Sequence, residues 1–71
     1  MKTGRWDKSC KAPETLFRVV GEDIFSMPSE EYWVGDFASL DLAKGAARGE
    51  AGPMNPVTVY DDQARMKFIV Q

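Results

Sequence analysis

Apolar and polar positions fall into patterned stretches separated by breakers. Residues 1–13 have no strand or helix period, and Trp6 stands alone among polar and small side chains. A stretch of that kind buries too little surface to offset the entropy of ordering it. It reads as a flexible basic arm ahead of one folded domain over 14–71.

From Thr15 the pattern changes to Thr15-Leu16-Phe17-Arg18-Val19-Val20, β-branched and aromatic enough for a strand that ends at Gly21. Residues 22–31 mix acids, serines and Pro28 around Ile24, Phe25 and Met27, which suits a long loop pinned by its apolar members. Alternation returns at Tyr32-Trp33-Val34-Gly35-Asp36-Phe37 and places Trp33, Gly35 and Phe37 on one face of a second strand. A helix follows. Ser39 is a good N-cap, Asp41 lies in the first turn, Lys44 and Arg48 fall towards the far end, and Leu40, Ala43 and Ala47 recur at helical spacing. Gly49, Gly52 and Pro53 are expected to stop it.

The last segment reads as a hairpin. Val57-Thr58-Val59-Tyr60 and Met66-Lys67-Phe68-Ile69-Val70 flank a polar connection over 61–65. The fold class is therefore α+β, in the order β-β-α-β-β, with an antiparallel sheet carrying one helix on a face. The expected core is Phe17, Val19, Trp33, Phe37, Leu40, Val57, Val59, Phe68 and Val70.

Composition narrows the class. A chain of 71 residues holds one core and buries only about 60% of the surface its unfolded state exposes. Cys10 is the single cysteine and there is no histidine, so neither an internal disulfide nor the usual zinc ligation is available. The same shortage of His and Cys argues against catalysis, which draws mainly on those groups or on carboxylates enclosed in a pocket. No cofactor motif is present, and no enzyme is expected. No apolar run is long enough to span a membrane and the first residues do not resemble a signal peptide, so a cytoplasmic protein is expected.

Charge adds a division that the net value of −2 conceals. Through Pro13 the chain carries Lys2, Arg5, Lys8 and Lys11 against Asp7, a net of +3, and the remainder nets −5. An acidic body is a poor nucleic-acid platform, because phosphate recognition wants a basic stripe on the fold. Direct nucleic-acid binding is therefore not expected.

Two candidate surfaces emerge. Glu22, Asp23, Glu30 and Glu31 crowd the acidic stretch. Their spacing, with that of Asp61 and Asp62, matches no calcium loop, so no metal ligand is assigned. They read as solvated charge or as a docking face for a basic protein. In the arm, Trp6 flanked by Arg5 and Lys8 has the composition of a binding anchor, since Trp and Arg dominate interface hot spots.

An acidic compact body, a basic arm with Arg5, Trp6 and Lys8, and the absence of catalytic residues together resemble small phage-encoded host-takeover proteins. The β-β-α-β-β order behind an arm is similar in layout to the Xanthomonas phage type of RNA polymerase inhibitor. That resemblance implies a stoichiometric inhibitor of transcription that binds bacterial RNA polymerase, acting in the host cytoplasm. Beside it stand a bacterial adaptor or homodimeric interaction domain, and a small-ligand or divalent-metal binding domain.

Overall fold

A computed structural model describes residues 9–25 and 27–71 of the chain. Its elements are β1 (Phe17–Asp23), β2 (Glu30–Phe37), α1 (Leu40–Glu50), β3 (Val57–Tyr60) and β4 (Met66–Val70). The strands form one sheet in the order β2-β1-β3-β4, antiparallel at every pairing. β2 and β3 thus both oppose β1 and run parallel to each other, which requires a crossover, and α1 supplies it. The expected α+β architecture is present, with β1 and β3 central and β2 and β4 at the edges.

The helix forms where its capping signals stand. Ser39 Oγ accepts the Leu42 N–H at 3.1 Å, Asp41 lies in the first turn and Arg48 in the last. Ala43 and Ala47 are fully buried, so the backbone of α1 lies close to the sheet. The helix runs through Gly49 to Glu50 and closes on the Ala51 N–H, which donates to the Ala47 carbonyl at 2.9 Å. No glycine in a left-handed conformation ends it.

Beneath α1 lie Val19, Val34, Val57 and Val59, with Phe17, Tyr32, Phe37, Leu40, Phe68 and Val70 packed around them. Trp33 is absent from this cluster, contrary to the sequence reading. Val19 pairs with Gly35 but Val20 pairs with Trp33, so Val34 is an extra residue in β2. Such a bulge shifts the alternation of side chains by one position. Val34 therefore turns under the helix, and Trp33 moves to the far face.

Two boundaries also differ. Residues 22, 23, 30 and 31 are strand rather than loop, and the hairpin turn is confined to 24–29. The acids' weak strand propensity is overridden by backbone pairing on both sides of β1. Besides its bonds to β2, β1 continues into 54–56 through Glu22 N–H to the Pro56 carbonyl at 2.9 Å and Ile24 N–H to the Met54 carbonyl at 3.1 Å. At the other end, Thr15 is not in the strand. It takes φ 66°, and its N–H donates to Asp62 Oδ2 at 2.9 Å.

Candidate functional site

Extension of both strands brings four predicted site residues into register. Glu22 stands opposite Glu31, and Asp23 opposite Glu30. Like charges directly across a strand pair are destabilising. Among the described residues Glu22, Glu30 and Glu31 form no ion pair. Two of the four acids make neutral bonds, from Ser29 Oγ to Glu22 Oε2 and from the Phe25 N–H to Asp23 Oδ1, each at 3.0 Å.

The turn beyond these rungs is apolar and exposed. Phe25 is 76% and Met27 95% accessible, and Ile24 is also exposed. Below the turn an open cleft of about 860 Å³ is walled by the acids, Phe25, Tyr32, Met54 and Asn55. Its floor is organised: Asn55 Nδ2 donates to Tyr32 Oη at 3.0 Å and to the Glu50 carbonyl at 2.7 Å. The Tyr32 ring in turn lies against Gly21, the residue across from it in β1. A side chain at 21 would enter the ring, which explains glycine there. The sequence reading missed Tyr32, Met54 and Asn55, because nothing in a single sequence reports that 54–56 pair with the end of β1.

The arm starts from the other end of the sheet. Arg5, Trp6 and Lys8 lie outside the described residues. Residues 9–13 are described and touch the body: the Ser9 carbonyl accepts Arg18 Nη1 at 3.1 Å, and the Ala12 N–H donates to the Asp61 carbonyl at 3.1 Å. Ala12 is only 3% exposed. The acids therefore sit the length of β1 away from where residues 9–13 lie on the body, roughly 20 Å at the usual strand rise.

Arg18 centres a second polar cluster, on the face away from α1. Its Nε and Nη2 donate to Asp36 Oδ1 and Oδ2 at 2.8 and 3.0 Å, and its guanidinium lies 5.7 Å from the Trp33 ring centre. Trp33 Nε1 also donates to Asp36 Oδ1 at 3.3 Å. The bulge that removed Trp33 from the core thus supplies an aromatic cover for this ion pair. Nearby, burial pushes the Tyr60 phenol above its ordinary pKa, and hydrogen bonding to Cys10 adds to the rise.

The acidic end can attract a cationic surface and bury apolar side chains on Phe25, Tyr32 and Met54. Among the described residues no group of three or more His, Cys, Asp or Glu is placed to hold a metal ion, and no helix is long and apolar enough to cross a membrane. No protein-family model, curated protein or solved structure matches the chain.

Proposed function

We propose that this protein is a non-catalytic protein-binding module that docks on a basic, partly apolar surface through the end of its β1–β2 hairpin. The observation that carries the reading is the pairing of like-charge rungs, of which Glu22–Glu31 has no ion pair among the described residues, with an exposed apolar turn. Both features cost stability or solubility in the free chain, and both are relieved by a partner that supplies cations around an apolar pocket. The acids would steer the encounter, and Phe25 and Met27 would provide the buried contact. Arg5, Trp6 and Lys8 are proposed as a second contact, reaching the same partner from the opposite end of β1.

The layout resemblance makes bacterial RNA polymerase the first partner to test, with inhibition of transcription as the consequence. The experiment is a titration of purified core polymerase and holoenzyme with the full chain, compared with Phe25→Ala and with Glu30→Lys/Glu31→Lys. The reading expects saturable binding that each variant weakens about tenfold or more, the effect of losing one anchor. Polymerase binding that ignores both variants would move the interface elsewhere. Absence of polymerase binding would leave the hairpin to be tested on other basic proteins.

A further inference from the structure

A second groove, of about 640 Å³, follows the seam between α1 and β2 and is lined by Tyr32, Trp33, Val34, Phe37, Ala46 and Gly49, with Glu50 at its rim. Tyr32 lines both depressions. The cleft at the hairpin end is acidic, and the groove at the helix end is largely apolar. The groove runs beside the outer edge of β2, which among the described residues pairs only with β1.

Gly49 lines the groove. Inside a helix glycine is less favourable than alanine by about 1 kcal/mol, and an added Cβ at 49 would meet nothing within 4 Å. Among the described residues no contact explains glycine at that position.

We infer that the outer edge of β2, with the acidic cleft at one end and the apolar groove at the other, receives an extended segment of the partner protein, about as long as β2, with Lys or Arg at one end and apolar residues at the other. Its backbone would pair with the outer edge of β2 over 30–33, before the bulge at Val34 turns that edge away. Its cations would lie beside Glu30 and Glu31, and its apolar side chains would enter over Val34, Phe37 and Gly49. Charge complementarity selects this occupant over an acidic or neutral strand. The inference rests on the proposed docking function and adds the conformation and polarity of what is bound.

The test is selection of peptides of about twelve residues, enough to cover the strand, from a random display library on the full chain. The best peptide is then titrated against wild type, Gly49→Phe, Gly45→Phe and Glu30→Lys/Glu31→Lys. Gly45 has equally open surroundings but lies outside the groove, so both glycine variants are expected to fold with unchanged or raised melting temperature. The expected result is enrichment of peptides joining a basic cluster to apolar residues, with Gly49→Phe and the charge reversal each weakening binding about tenfold or more and Gly45→Phe by less than about twofold. Binding that survives Gly49→Phe but not the charge reversal overturns the groove and leaves the hairpin reading standing. Failure to enrich basic-apolar peptides, or indifference to both changes, overturns both. A concentration-dependent dimer of the free chain that Gly49→Phe dissociates would assign the groove to a second copy and also overturn the inference.

Discussion

Gly21, Asn55 and Asp61 show how single side chains set the local geometry. At Gly21 the Tyr32 ring occupies the space a Cβ would need, so Gly21→Ala forces the ring off its position and off its bond with Asn55. A loss of about 1–3 kcal/mol on urea unfolding is expected, the usual cost of overpacking. Asp61 acts on the β3–β4 turn. Its Oδ1 accepts the Gln63 and Arg65 N–H groups, each at 2.8 Å, and its Oδ2 accepts Arg65 Nε at 3.0 Å. The Arg65 backbone N–H is the main cause holding its pKa below the ordinary carboxylate value. Because the folded pKa is depressed, the stability it contributes is present above the unfolded value and is lost as pH falls through the folded one. Unfolding free energies measured from neutral into strongly acidic solution should therefore decline less steeply for Asp61→Asn than for wild type.

The elements show what a single sequence reveals and what it hides. The helix was legible because Ser39, Asp41 and Arg48 signal through local chemistry, and the β3–β4 hairpin because two apolar runs flank a short polar connection, although the pairing slips by one residue between Val59 and Tyr60. The β1–β2 hairpin was only half legible. Its acids read as loop by propensity, whereas pairing with 30–31 and with 54–56 holds them in strand, and that pairing is set by distant residues. The bulge at Val34 was equally silent, since strict alternation favours Trp33 as a core residue. Of the candidate site, the four acids were visible and the cleft around them was not, because Tyr32, Met54 and Asn55 meet them only through that pairing. Trp33 provides the check on this account. Val59→Ala, at a fully buried position beneath α1, should cost about 2 kcal/mol. Trp33→Ala should leave that core intact, as read by unchanged methyl chemical shifts of Val57 and Val59, and should perturb the Arg18 and Ser9 signals instead. Shifted core methyls would place Trp33 back under the helix.

At the scale of the whole molecule the sheet separates two surfaces. One end holds residues 9–13 against Arg18 and Asp61, and the other presents the acid rungs and the apolar turn. This second end is proposed to be shaped for a partner at some cost to the fold. Glu30 and Glu31 are the informative positions, because neither makes an ion pair or a side-chain hydrogen bond among the described residues. The most direct measurement is the urea unfolding free energy of Glu30→Gln/Glu31→Gln against wild type, taken at low salt where charge repulsion is least screened. The expected result is a variant more stable by about 0.5–1 kcal/mol, the relief of two like-charge cross-strand pairs, with the gain shrinking as salt is added. A variant less stable than wild type by about 1 kcal/mol or more would mean that these acids hold the hairpin together, and would contradict the claim that they serve a partner.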